Sequence, residues 1–435
     1  MTGAMQWGYT TKLGAAAIAA ALLAPVPPAA AQAADPDLAP ERGKFEAEAP
    51  AAPAQPYVVP EPPRTLADLT RYKSRSFSFQ MGLAVLLDHT TFNQDAASVA
   101  QVGDQESQWQ ARAARLMAHG TIGSDYKVGY LVAAEYNGFE SDATDQWSFT
   151  DVSFAFPIGG PATTLTVGMT KENFSYEMVG DAANLPQQER VLNPFFVSRN
   201  VGAKLIHVFG EDHRMTLAAG VFNNAWLNGV SGSDASTHAT ARVTGLVWDQ
   251  EQGKRFLHLG MSGGVTANGV LRYRGRPETN VGDYYVDTGD LSDSRARQLG
   301  LEVLWNEGPF SVLAEHVRAW VSTSASGNAE LSGYYVLGSW ILTGETRPYD
   351  RTVGYARRIV PAHSWGAVEL VARYSHVDLD DGLVTGGTFN RPSFGVNWWA
   401  TRRWKFGVDW GRTTLYRFGT TGVTESVLVR AQLTL

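Results

Sequence analysis

The sequence predicts an all-β fold, a transmembrane antiparallel β-barrel of sixteen strands. Three observations predict it: segments in which apolar and polar residues alternate, short connections at every second position between those segments, and an export signal with no later apolar helix. Successive side chains of a strand point to opposite faces, so alternation gives one apolar and one polar face. In a membrane barrel the apolar face contacts lipid and the polar face surrounds water.

The alternation is clearest in the last eleven residues, 425–435. One face is apolar and consists of Val427, Val429, Ala431, Leu433 and Leu435. The other face is polar except for Leu428, and carries Ser426, Arg430, Gln432 and Thr434. Sixteen such segments are predicted, at about 76–88, 108–120, 125–137, 147–157, 163–171, 198–209, 213–222, 238–248, 255–265, 296–306, 309–321, 331–343, 366–378, 389–400, 403–412 and 425–435.

The connections between these segments predict the orientation of the barrel. Alternate connections are short, at 120–124, 158–162, 210–212, 249–254, 307–308 and 401–402. Membrane barrels have short periplasmic turns and long external loops, and an even strand number returns both chain ends to the periplasm. Three connections are much longer, at 172–197, 266–295 and 344–365, the last on the otherwise short side. Loops of this length are usually functional, and in a barrel they can fold inward.

The N-terminal residues are predicted to lie outside the barrel. Lys12 precedes an apolar run from Leu13 to Ala24, and small residues follow at 29–33. This pattern predicts a signal peptide over 1–33, cleaved near Ala31 or Ala33. Residues 34–74, rich in Ala, Pro and Glu, are expected to form an extended periplasmic tail, and the barrel is predicted over 75–435. An exported chain without helical spans is expected in the outer membrane of a Gram-negative bacterium.

The composition excludes several classes of function. The 435 residues contain no cysteine, so disulfides and thiolate chemistry are excluded. The formal net charge of −7 argues against general nucleic-acid binding. The chain contains no Walker loop, no Gly-x-Ser-x-Gly elbow and no His-Glu-x-x-His motif. We therefore expect a passive channel for small hydrophilic solutes, without enzymatic activity, cofactor or metal site.

Three stretches carry a family resemblance. The first is Gly168-Met-Thr-Lys-Glu-Asn-Phe174, followed by Glu189-Arg190 and Arg199-Asn-Val-Gly202. The second is Arg274-Gly-Arg-Pro-Glu278, and the third includes Gly366-Ala-Val-Glu-Leu-Val-Ala-Arg-Tyr-Ser375 and Asn397-Trp-Trp399. In order and spacing they resemble the phosphate-selective porin O and P family from about residue 75 to the C-terminus. The resemblance implies a homotrimer of sixteen-stranded barrels in outer-membrane lipid, which carries small anions such as phosphate past inward-folded loops.

Candidate solute-binding residues are the basic side chains on the three long connections. Anion pores use Arg and Lys in the lumen, and the planar guanidinium group can donate two parallel hydrogen bonds to phosphate. The candidates are Lys171, Arg190 and Arg199 on the first connection, Arg272, Arg274 and Arg276 on the second, and Arg347 and Arg351 on the third. The three arginines of 272–276 occupy every second position, which places them on one face of an extended chain.

The same connections also carry acidic residues, so two further interpretations stay open. Glu172, Glu177 and Glu189 share the first connection, and Asp283, Asp287, Asp290 and Asp293 share the second. These carboxylates would neutralise the arginines in structural ion pairs. A general porin of the same fold is then expected, or a non-conducting outer-membrane anchor or enzyme barrel. In addition, the chain ends in Leu435, where outer-membrane proteins usually end in Phe or Trp.

Overall fold

The computed structural model describes residues 70–136, 147–225, 236–267, 269–324 and 327–435. The predicted signal peptide, 1–33, and the predicted tail up to residue 69 lie outside the described residues. Within the described ranges, no helix has the length and hydrophobicity that a membrane crossing requires.

The described chain is built mainly from β-strands. Two short α-helices are present, α1 Ala96–Val102 and α2 Tyr176–Val179, together with 3-10 helices at Asn193–Phe195 and Glu251–Gly253. The strands are β1 Arg71–Lys73, β2 Phe77–Gln94, β3 Gln108–Ile122, β4 Val128–Tyr136, β5 Trp147–Pro157, β6 Thr163–Lys171, β7 Arg199–Phe209, β8 Met215–Asn223, β9 Thr237–Gln250, β10 Arg255–Ala267, β11 Arg274–Gly275, β12 Val286–Asp287, β13 Arg295–Glu307, β14 Phe310–Thr323, β15 Gly327–Ile341, β16 Tyr349–Asp350, β17 Tyr355–Ala356, β18 Ala367–Asp381, β19 Val384–Trp399, β20 Trp404–Arg417 and β21 Thr420–Thr434.

Sixteen of these strands form one closed antiparallel barrel. Each barrel strand pairs with the next along the chain, and β2 pairs with β21, with Asp88 opposite Arg430. The short strand β1 extends the sheet beside β2, and the pairs β11–β12 and β16–β17 lie apart from it. The predicted sixteen-stranded antiparallel barrel is confirmed.

Burial along the strands follows the predicted alternation. In β21, Val429 is 45% exposed on the outside, whereas Arg430 beside it is 1% exposed on the inside. Leu428 is also buried on the inner face, so it is the apolar exception that the sequence indicated. Because β2 and β21 are antiparallel neighbours, the barrel begins and ends at the same end, which we call the terminal end. The opposite end is the loop end.

Three connections at the loop end contain fewer residues than the sequence predicts. The strands β18 to β21 continue past the predicted segments, so residues 382–383 and 418–419 are the complete connections there. Between β14 and β15 the connection spans 324–326. In β18 and β19 these extensions carry the opposite pattern to the membrane segments: Leu379 and Val384 face inward and are buried in one core with Tyr285 and Val286 of the fifth loop.

Three long connections occupy the interior of the barrel: the third loop (172–198), the fifth loop (269–294) and the turn segment (342–366). The third loop buries Phe174 and Phe195 in one core with inward residues of the wall. Gly333 on β15 makes this approach feasible, because a Cβ there would lie 2.7 Å from Cε2 of Phe195. The turn segment enters from the terminal end and meets the third loop, where Ala356 N donates to Tyr176 Oη at 2.9 Å.

Candidate functional site

The deeply buried arginines of the barrel wall are paired with carboxylates. The guanidinium of Arg242 lies 2.5 Å from Glu302, that of Arg373 lies 2.5 Å from Glu177, and that of Arg430 lies 2.6 Å from Asp88. Arg391 is 3.8 Å from Glu278. A buried arginine without a partner would be strongly unfavourable, so these pairs neutralise the inner wall where loops cover it. Carboxylates of the protein, and not a solute, are therefore the partners of these guanidinium groups.

Two acidic residues of the third loop connect it to this wall. Glu177 accepts a hydrogen bond from Arg373 at 2.5 Å. Glu189 accepts from Arg112 at 2.6 Å and from Arg430 at 2.5 Å. Burial alone would raise the pKa of Glu189, but the two guanidinium groups lower that pKa to about 2. The carboxylate therefore stays ionised and holds the third loop across the lumen.

A second group of basic residues, at the base of the third loop, has only neutral partners. Lys171 Nζ and Arg190 Nη2 both donate to Gly180 O, at 3.2 and 2.8 Å. Arg190 Nε donates to Glu177 O at 2.6 Å, and Lys204 Nζ donates to Lys171 O at 3.0 Å. We call Lys171, Arg190 and Lys204 the basic trio. All three are half-buried, and no described carboxylate lies within 4.0 Å of their nitrogen atoms. The carbonyl partners carry no formal charge, so they do not form ion pairs with these side chains.

Arg199, the third predicted residue of this connection, is in a different situation. Its Nε donates to Asp151 Oδ2 at 3.0 Å, and the side chain is half-buried. Arg115 on β3 similarly pairs with Glu135 at 2.7 Å. The pKa of nearby Asp181 is lowered: burial opposes this shift, and the charge of Lys171 produces it. Carboxylates are thus present beside the trio without contacting it.

The fifth loop forms a cavity of about 370 Å³ together with residues of the third loop and of β9 and β10. Arg272, Arg274 and Arg276 all line it. Arg272 pairs with Asp287 at 2.6 Å. The guanidinium carbons of Arg274 and Arg276 lie 4.3 and 4.1 Å from the ring centroid of Tyr284. These two guanidinium groups have no described carboxylate within 4.0 Å, and cation–π contact leaves their charge available.

Glu172 lines the same cavity from the third loop. Its carboxylate accepts a hydrogen bond from Asn200 Nδ2 at 2.7 Å. Burial raises the pKa of Glu172 to about 7, against a smaller opposing effect of that hydrogen bond. The cavity therefore gains positive charge when the pH falls below neutrality.

The arginines of the turn segment are all tied to neighbouring groups. Arg347 is buried and donates to both oxygens of Glu369, at 2.6 and 2.7 Å. Arg351 pairs with Asp249. These contacts join the turn segment to the wall and leave Arg347 and Arg351 neutralised by carboxylates, unlike the basic trio.

The site contains features that the sequence did not single out. Lys204 on β7 is not among the candidates taken from the sequence, because it lies on a strand and not on one of the three long connections. No sequence pattern could identify the carbonyl group of Gly180 or the ring of Tyr284, because their contacts form only when the loops fold. Only the three-dimensional arrangement connects them with Lys171 and the arginines.

A closed sixteen-stranded barrel with a charged interior and loops folded into its lumen defines an outer-membrane porin. The sequence model of the family described as phosphate-selective porin O and P matches residues 79–434, and the chain belongs to this family.

Solved structures share the fold at low sequence identity. OmpT of Vibrio cholerae superposes with a TM-score of 0.53 at 8% identity, covering 84% of this chain and 100% of that one. The trimer form of the same Vibrio cholerae protein, folded in vitro, gives a TM-score of 0.52 at 7% identity, covering 83% and 100%. No curated protein sequence matches the chain.

Proposed function

We propose that this porin is a passive channel that prefers small anions, such as phosphate and related oxyanions, over cations. The observation that carries the proposal is the basic trio. Lys171, Arg190 and Lys204 are half-buried and donate to backbone carbonyls, whereas the fully buried arginines of the wall are neutralised by carboxylates. Positive charge that is not neutralised offsets the hydration an anion loses in a narrow pore.

The cavity of the fifth loop supplies a second set of positive charges along the proposed conduction path. Arg274 and Arg276 present guanidinium groups to this cavity, which residues of the third loop also line. A planar guanidinium can donate two parallel hydrogen bonds to an oxyanion, which favours phosphate over a spherical anion. The family description, phosphate-selective porin, supports the same solute class.

Replacement of both Lys171 and Arg190 by glutamine is expected to lower the anion preference. Two of the three charges of the trio disappear, while the amide side chains retain hydrogen-bonding capacity. The reversal potential of a single channel in a salt gradient measures the change and should move toward the cation side. The matched control is Lys127→Gln with Lys254→Gln, two exposed lysines at the terminal end. An equal shift in both double variants would contradict the proposal.

Replacement of Arg274 and Arg276 by glutamine is expected to reduce anion preference by a smaller amount. Arg274 is exposed to solvent, unlike the half-buried residues of the trio, so salt screens its charge more strongly. Added phosphate should block the chloride current less strongly in this variant. The reversal potential in a salt gradient should also move toward the cation side. Arg402→Gln, on an exposed terminal-end turn, is the control. An unchanged reversal potential would remove both arginines from the conduction path.

A general porin is the second candidate, because carboxylates lie close to the trio. Glu135, Asp151 and Asp181 are in its neighbourhood and would compensate part of its field. Liposome swelling distinguishes the candidates: a general porin admits neutral sugars and anions of the same size at equal rates. We also propose that the protein is a homotrimer, which native mass measurement in detergent tests. The trimer form of the Vibrio cholerae neighbour supports this proposal.

A further inference from the structure

The outside of the barrel carries three arginines close together near the loop end. Arg295 and Arg297 are exposed, and Ala296 between them is 3% exposed on the inner face. Arg318 lies between Val317 and Ala319, which are both fully buried. Because side chains alternate along a strand, all three arginines project from the outer surface of β13 and β14. We call them the outer basic patch.

The strand register places the three arginines close enough together to contact one phosphorylated headgroup. Arg297 lies directly opposite Trp320, and Arg318 lies directly opposite Leu299. Arg297 and Arg318 are therefore diagonal neighbours, whose separation is about 7–8 Å in an antiparallel pair. Arg295 is two residues from Arg297 on the same face of β13.

The patch has a surplus of positive charge. Arg318 pairs with Glu330 at 3.0 Å, but the described residues provide no carboxylate within 4.0 Å of Arg295 or Arg297. The cross-strand neighbours of Arg297 are Val265 and Trp320, both exposed and uncharged. At headgroup level, exposed guanidinium groups without protein partners are available to bind an anionic group from the membrane.

The height of the outer basic patch on the barrel wall indicates which leaflet of the membrane it contacts. Phe310 and Trp320 are exposed aromatic residues ten positions apart on the outer surface of β14, and His316 and Arg318 face outward between them near the loop end. Ten residues of strand span about 33 Å, and a strand tilt of about 40° reduces this to about 25 Å, the usual height of the apolar band. Trp320 is thus at headgroup level, and Arg297 lies beside it at the loop end, which faces outward in an even-stranded barrel.

We propose that the outer basic patch binds the phosphate groups of the glycolipid in the external leaflet. Arginine can bind phosphate with two parallel hydrogen bonds. Leu299 and Leu301 continue β13 from the patch toward the membrane centre and offer an apolar surface for acyl chains. The phosphate and the acyl chains of one lipid would thus each meet a matching part of the wall.

Replacement of Arg295, Arg297 and Arg318 by glutamine tests this site. After purification in mild detergent, glycolipid retained per chain is measured, together with binding to glycolipid micelles. We expect the affinity to fall about tenfold or more, in line with the contribution of arginines near an anionic surface. Arg412→Gln is the control, since Arg412 is also exposed and is paired with Glu425 at 2.8 Å. The single variant Arg297→Gln provides a milder version if the triple variant assembles poorly.

The other outcomes would overturn the proposal. Equal glycolipid retention in the triple variant, the control and the parent would exclude the patch as a lipid site. Loss of the oligomer with unchanged glycolipid per chain would identify the patch as an interface between copies. The anion preference should be unaffected in every variant, so this test and that of the proposed channel function are independent.

Discussion

Replacement of Glu369 by glutamine is expected to destabilise the barrel by about 3–5 kcal/mol, the usual cost of breaking a buried ion pair from one side. Glu369 is fully buried and receives hydrogen bonds from Arg347, Asn397 and Trp399. Without its charge, Arg347 remains buried with no carboxylate partner among the described residues. The turn segment would then leave the lumen, because hydration of Arg347 requires its displacement.

Two measurements check this expectation. The temperature at which the folded barrel loses its characteristic gel mobility reports stability, and single-channel recording reports conductance, which should increase and become noisier. The control is Glu425→Gln, which breaks the exposed pair with Arg412 and should cost about 1 kcal/mol or less. Unchanged conductance in the Glu369 variant would show that the turn segment is held by other contacts.

The fold was predictable because the membrane imposes a simple pattern on each strand. Where lipid contacts one face, apolar residues must alternate with polar ones, and the sixteen segments followed from this rule. The ends of the strands were not predictable to the same extent. Thr420 and Val384 begin strands beyond the predicted segments, and Val384 faces inward into the interior core, which the lipid-facing pattern of the membrane segments does not predict.

The candidate site was predictable in position but not in partners. The alternate spacing of Arg272, Arg274 and Arg276 indicated a common side, and all three line one cavity. The sequence could not indicate that Arg347 pairs with Glu369, because their contact depends on the path of the turn segment. Glu189 was expected to neutralise arginines of its own loop. Its partners are instead the strand residues Arg112 and Arg430, which only barrel closure brings together.

Replacement of Glu189 by glutamine is expected to release the third loop from the wall. Arg112 would lose its carboxylate partner, and Arg430 would retain only Asp88. The expected loss of stability is about 3 kcal/mol, and the conductance should increase because the third loop no longer crosses the lumen. Glu135→Gln is the matched control, since it breaks the less deeply buried pair with Arg115 on the same side of the barrel and should cost less stability.

The pH dependence of the conductance tests whether the charge of Glu189, and not only its size, holds the third loop against the wall. The pKa of Glu189 is lowered to about 2, with burial opposed by the larger combined effect of Arg112 and Arg430. A carboxyl with a lowered pKa contributes stability above its unfolded value of about 4.3, and this contribution is lost as the pH falls toward 2. Apart from the change that protonation of Glu172 brings to the cavity, the parent channel should therefore show no opening of the third loop between pH 7 and pH 4, whereas the Glu189 variant should show the higher conductance at both values. A parent channel that opens already at pH 4 would show that Glu189 is not the group that holds the loop.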